Sequence, residues 1–199
     1  MGFENYQEVF KSEHWKNIEK DVLTKIKPIT SLGVKIKLVS ELISELTEKT
    51  AAKYFSDIYQ SDKITSATND NQPDIVLADN NIEIKVSKIT NSGGVSWRGG
   101  KYSKREGTFI LICWDFDEND PTEFNFAVYK ANLNKNDWLV SKYDNYYATL
   151  YTMDLLVNNP THTKIVGDIK VSKRGIVKPV LESISWNFKA WLSLKSVGY

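Results

Sequence analysis

The chain has 199 residues, 41% of them apolar and 26% charged, with a formal net charge of +1. That size suits one domain with a good core, and the balance fits a soluble globular protein rather than a disordered or fibrous one. It provides no global basic field of the kind that draws nucleic acid to a whole surface, so any such contact must come from how the charge is distributed.

Further classes are excluded by local sequence. No apolar run approaches the roughly 18 residues of a membrane span. The start, Met1-Gly2-Phe3-Glu4-Asn5, lacks the basic and apolar regions of a signal peptide, and Tyr6 breaks the myristoylation pattern. Cys113 is the only cysteine, so an intrachain disulfide is impossible, and its place in Phe109-Ile110-Leu111-Ile112-Cys113-Trp114 suits a core residue rather than a nucleophile. A cytoplasmic protein without membrane contact is expected.

In chain order, residues 4–27 carry Tyr6, Phe10, Trp15, Ile18, Val22 and Ile26 at helical spacing, with Pro28 as the stop and Gly33 as a turn. A second helix is expected over 34–59, with Ile36, Val39, Leu42, Ile43 and Leu46 as its apolar stripe. Strands are expected near 73–78, 81–88, 107–116, 123–131, 146–156 and 163–171, then a last helix over 179–195 carrying Trp186 and Trp191. Helices, a strand cluster and a return to helix predict an α/β domain. It spans residues 1–199, with a helical part at about 4–60, a sheet core at about 70–131 and C-terminal strands and helix at about 146–199.

The chemistry concentrates in Pro73-Asp74-Ile75-Val76-Leu77-Ala78-Asp79-Asn80-Asn81-Ile82-Glu83-Ile84-Lys85. The spacing reads as two short strands joined by a polar turn through Asp79-Asn80-Asn81. Strand side chains alternate between faces, so Glu83 and Lys85 share one face and Ile82, Ile84 and Val86 the other. Pairing of the two strands would bring Asp74 beside Glu83. Two carboxylates, with the Ile84 carbonyl, suit Mg²⁺, a hard cation commonly held by one or two carboxylates plus phosphate and water. Lys85 would then stand beside the attacking water and the scissile phosphate. The bland alternative is an ordinary hairpin with solvated charges at its rim.

Pro73-Asp74 followed by Glu83-Ile84-Lys85 resembles the PD-(D/E)XK nuclease superfamily, most closely the type II restriction endonucleases, over roughly residues 35–130 by order of elements. The resemblance implies a mixed central β-sheet flanked by helices, Mg²⁺-dependent hydrolysis of double-stranded DNA and a homodimer. A companion DNA methyltransferase in the same system would fit it. In such nucleases an acidic residue of the preceding helix often supports the metal. Glu41, Glu45 and Glu48 line one side of the second helix, and Glu45 lies nearest the expected apolar stripe, with Glu41 in reserve.

The segment from Lys88 to Arg105 holds five cationic residues, four glycines, two aromatics and no acid. Lys88, Arg98, Lys101, Lys104 and Arg105 are DNA-facing candidates, since lysines and arginines neutralise phosphates and an arginine fork fits the guanine edge. Trp97 and Tyr102 either stack on DNA or anchor the segment to the core. Asp115 and Asp117 suit an acidic strand end, and Lys170, Lys173 and Arg174 form a second basic cluster. His14 and His162 lack metal-ligand spacing. Other nucleases of the same superfamily (repair, junction-resolving or transposon-end), a non-catalytic DNA-binding protein on the same fold and an unrelated α/β binding module remain open alternatives.

Overall fold

The computed structural model describes residues 6–32, 34, 36–59, 73–77, 80–90, 94–99, 105–116, 124–140 and 149–167. The expected last helix, the cluster of Lys170, Lys173 and Arg174, and Gly33, Asp117, Lys101, Tyr102 and Lys104 lie outside these residues.

A 3₁₀ turn at Tyr6–Phe10 leads into helix α1, Ser12–Ser31, and α2 follows at Ile36–Tyr59. Trp15, Ile18, Val22 and Ile26 recur every three or four residues and are all buried. Pro28 does not stop α1, which continues to Ser31. A proline inside a helix removes one backbone hydrogen bond and crowds the preceding turn. Here the cost falls in the last turn, and the Leu32 N–H closes the end onto the Ile29 and Thr30 carbonyls.

The strands of the described residues are β1 (Ile75–Leu77), β2 (Asn80–Lys88), β3 (Ser96–Gly99), β4 (Gly107–Phe116), β5 (Phe124–Leu133), β6 (Leu139–Val140), β7 (Thr149–Thr152) and β8 (Thr163–Val166). The stretch expected as one strand over 146–156 is β7 giving way to a short helix, α3 (Met153–Asn158), whose first turn donates the Leu155 N–H to Thr152 Oγ1. Five strands form a mixed sheet in the order β1-β2-β4-β5-β8, and β3, β7 and β6 form a second, three-stranded sheet. β2 and β4 run parallel, and the other pairs of the main sheet run antiparallel. The architecture is therefore α/β with a mixed sheet. Among the described residues, α1 and α2 cover one face and the small sheet with α3 covers the other, rather than helices alone on both.

β4 explains itself. Its run of six apolar residues has no polar alternation because both of its faces are buried, as in a strand with layers on either side. Ile110, Ile112 and Trp114 join Trp15, Ile18, Val22, Ile43 and Phe55 beneath the helices. Phe109, Leu111 and Cys113 join Trp97, Trp138, Tyr151 and Leu156 beneath the small sheet. Cys113 is fully buried, and burial pushes its thiol pKa far up, which suits packing rather than nucleophilic attack. No helix among the described residues is long and apolar enough to cross a membrane.

A parallel β2–β4 pair needs a long crossover. The chain makes it through residues 89–106, and β3 lies within this connection. Trp97 anchors it: the ring is fully buried and its Nε1–H donates to the Ile112 carbonyl at 2.7 Å. Trp97→Ala is expected to cost about 3–5 kcal/mol of stability, seen as a lower urea midpoint, because it leaves a large cavity between the sheets.

Candidate active site

The β1–β2 hairpin creates the site. Its register pairs Ile75 with Ile82 and Leu77 with Asn80, so β2 begins at Asn80, inside the turn expected over Asp79-Asn80-Asn81. Continued by one residue, the same register sets Asp74 opposite Glu83. Continued by two, it would set Pro73 opposite Ile84, where proline has no N–H to extend the ladder. β1 ends there, and the Asp74 carboxylate takes the place of the missing strand: Oδ2 accepts from the Ile84 N–H at 2.7 Å. A strand residue turns its N–H and C=O to the same side, so the Ile84 carbonyl also faces the Asp74 edge.

Glu83 and Lys85 project from the face of β2 opposite Ile82 and Ile84, which pack under the helices. The Lys85 ammonium donates to Glu83 Oε1 at 2.6 Å, with 20% and 11% of the two side chains exposed. The second carboxylate oxygen, Glu83 Oε2, is buried without a hydrogen-bond partner. Burial works against the Lys85 charge. The charge of Glu83 and its hydrogen bond, followed by the charges of Asp74 and Glu48, outweigh it and hold the ammonium above the usual lysine pKa.

The helix carboxylate whose charge is felt by this group is Glu48, while Glu45 turns to solvent. Glu45 is 60% exposed and pairs with Lys49 one turn along α2. Glu41 is exposed as well. Glu48 is partly buried, and its pKa is pushed up to about 7, first by desolvation and then by the charge of Asp74, while Lys85 pulls it down and Glu83 and Glu45 push it up. Asp74, Glu83 and Glu48 thus all act electrostatically on the Lys85 ammonium.

The raised pKa has a consequence for stability. The unfolded chain loses the Glu48 proton near 4.5 and the folded protein near 7. Between these values the folded state binds more protons, so the contribution of this group falls as pH rises. Glu48→Gln is expected to stabilise the metal-free protein by about 1–3 kcal/mol at pH 8 and to change nothing near pH 4. Urea midpoints of both proteins across that pH range measure it, and a difference independent of pH would contradict the placement of Glu48.

The basic candidates separate. Lys88 is three residues from Lys85 and so lies on the opposite face, with its ammonium 5.7 Å from the Trp114 ring centre. Arg98 is exposed on β3. Arg105 stands at the entry to β4, where its carbonyl accepts from Trp138 Nε1 at 2.9 Å. Asp115 is buried on β4. Ser87, not singled out from sequence, ties the site strand to the crossover: its hydroxyl donates to the Ser96 carbonyl at 2.7 Å.

Among the described residues no three His, Cys, Asp or Glu side chains form a group that encloses a metal by itself. A Mg²⁺ site of one or two carboxylates completed by phosphate and water does not require such a group. Asp74, Glu83 and the Ile84 carbonyl form a hard, all-oxygen donor set of that kind. Comparison with protein-family models, with curated proteins and with solved structures returns no match to this chain.

Proposed function

We propose that the protein is a Mg²⁺-dependent endonuclease that hydrolyses phosphodiester bonds of double-stranded DNA and leaves 5′-phosphates, in the manner of a type II restriction enzyme acting as a homodimer. The observation that carries the reading is Glu83: a buried carboxylate whose Oε1 is bound by Lys85 while Oε2 has no partner, beside a second carboxylate at Asp74. A buried oxygen of this kind costs free energy unless something satisfies it, and a divalent cation at the open edge of β2 would do so.

Asp74 and Glu83 would hold Mg²⁺ with the Ile84 carbonyl. When bound, the cation supplies a water of lowered pKa and stabilises charge on the phosphoryl oxygens. Lys85 orients the water on the side of Glu83 and offsets negative charge as it develops on the phosphate. Desolvation and the Asp74 charge push the Glu48 pKa up to about 7, so below that pH its proton limits the repulsion among the three carboxylates of the metal-free site. The hydrogen bond from Ile84 keeps the Asp74 carboxylate in one orientation, so little reorganisation precedes reaction.

Sequence specificity belongs to the same proposal. A short palindromic target would match the two-fold symmetry of a dimer. Sequencing the ends of fragments cut from genomic DNA tests it: 5′-phosphate ends sharing one short sequence support a restriction enzyme, with a DNA methyltransferase as its natural companion. Ends of random sequence, or ends at junctions and breaks, would instead assign the site to a non-specific or structure-directed nuclease.

A further inference from the structure

Among the described residues β3 is the edge strand of the small sheet, and it packs near β2, which carries the site. Two contacts turn the odd positions of this segment toward β7: the Val95 carbonyl accepts from the Met153 N–H at 3.2 Å, and the Gly99 carbonyl accepts from Thr149 Oγ1 at 3.3 Å. The even positions turn the other way, as the Ser96 carbonyl does in accepting from Ser87 on β2. With period two, the Arg98 N–H and C=O face the same open edge.

The level of Arg98 along β2 follows from its neighbours. Ser96 is tied to Ser87. Trp97 is bonded to Ile112, the register partner of Val86. Gly99 closes against Trp138, where a Cβ would lie 3.2 Å from the ring, and that ring is 5.4 Å from Phe109, the register partner of Glu83. β3 therefore runs back past the site strand from the level of Ser87 toward that of Glu83, and Arg98 falls between. Its side chain is exposed on the face of β3 opposite Trp97 and Gly99, which are buried, so the cation rises from the outer surface of a strand pinned at both neighbours.

We propose that Arg98, with its own main-chain N–H, forms a phosphate-binding wall of the active-site cleft. This rests on the nuclease reading. Arg98 grips the DNA backbone next to the scissile phosphate and sets how closely the duplex approaches Asp74, Glu83 and Lys85. It positions the backbone and reads no base. The charge logic favours this role: DNA is a polyanion, and Arg98 is the cation that β3 carries at its exposed positions. A guanidinium fork and a backbone N–H both fit phosphate oxygens.

The test compares Arg98→Ala and Arg98→Lys in a Lys85→Ala background, which slows cutting, by binding to two duplexes of unrelated sequence in Mg²⁺ over a range of salt. Arg98→Ala is expected to weaken binding about 10-fold on both duplexes and to lower the salt dependence by about one counterion. Arg98→Lys is expected to restore the salt dependence but only part of the affinity, because a point charge replaces the fork. Unchanged affinity and salt dependence in Arg98→Ala would overturn the proposal. So would a loss confined to one duplex with the salt dependence intact, the mark of a base contact. Cleavage by the protein with native Arg98 and Lys85 is followed in parallel. If it cuts DNA and Arg98 proves silent, only the phosphate wall falls; if it neither binds nor cuts DNA, the nuclease reading falls with it.

Discussion

Lys85→Ala is expected to lower Mg²⁺-dependent DNA cleavage by about 10²- to 10³-fold, the usual loss when one preorganised charge-stabilising donor is removed. The same change strips Glu83 of its ion pair, contracted to 2.6 Å and largely buried, and leaves an uncompensated carboxylate that costs about 3 kcal/mol of stability without metal. Mg²⁺ should therefore raise the melting temperature of the variant more than that of the wild type, since the cation then binds a site with no competing ammonium. Cleavage rates with and without Mg²⁺, together with thermal melts, measure both effects. Cleavage at the wild-type rate would remove Lys85 from the mechanism.

Asp74→Asn separates the metal from the fold. The amide oxygen can still accept the Ile84 N–H that the carboxylate now accepts at 2.7 Å, so the end of β1 should keep its place. The charge is lost, however, and the Mg²⁺ concentration for half-maximal cleavage should rise by more than the 10–100-fold that loss of a supporting outer residue costs. Desolvation is the first cause of the raised Glu48 pKa and the Asp74 charge the second, so that pKa should fall in the variant but stay raised. A Mg²⁺ titration of the cleavage rate checks the first expectation, and the pH dependence of stability the second. An unchanged Mg²⁺ requirement would mean that Asp74 does not hold the cation.

The hairpin was legible because period two is a strong rule over a short distance. Alternation alone puts Glu83 and Lys85 on one face, and the tight connection then brings Asp74 into register with Glu83. The same rule takes Lys88 off that face, toward the Trp114 ring. The helix partner was harder to place, because the buried side of α2 is not its most apolar side. Leu42 is 45% exposed, whereas Thr47 is fully buried with its hydroxyl satisfied by the Ile43 carbonyl at 2.7 Å. The stripe that packs runs through Ile43, Thr47, Ala51 and Phe55, and beside it Glu48 is partly buried whereas Glu45 is exposed. β3 was hidden for another reason. Four residues next to glycines carry little strand signal, and its pairing with β7 lies some fifty residues away, where only tertiary packing can supply the support. Pro28 marked an approaching helix end but not its final residue.

The most direct test of a metal-dependent nuclease at the β1–β2 hairpin is digestion of mixed-sequence supercoiled plasmid and genomic DNA by the wild-type protein, in Mg²⁺ and in EDTA. Discrete linear fragments in Mg²⁺ and intact DNA in EDTA are predicted. DNA that stays intact in Mg²⁺, or cutting that proceeds equally well in EDTA, would contradict the account.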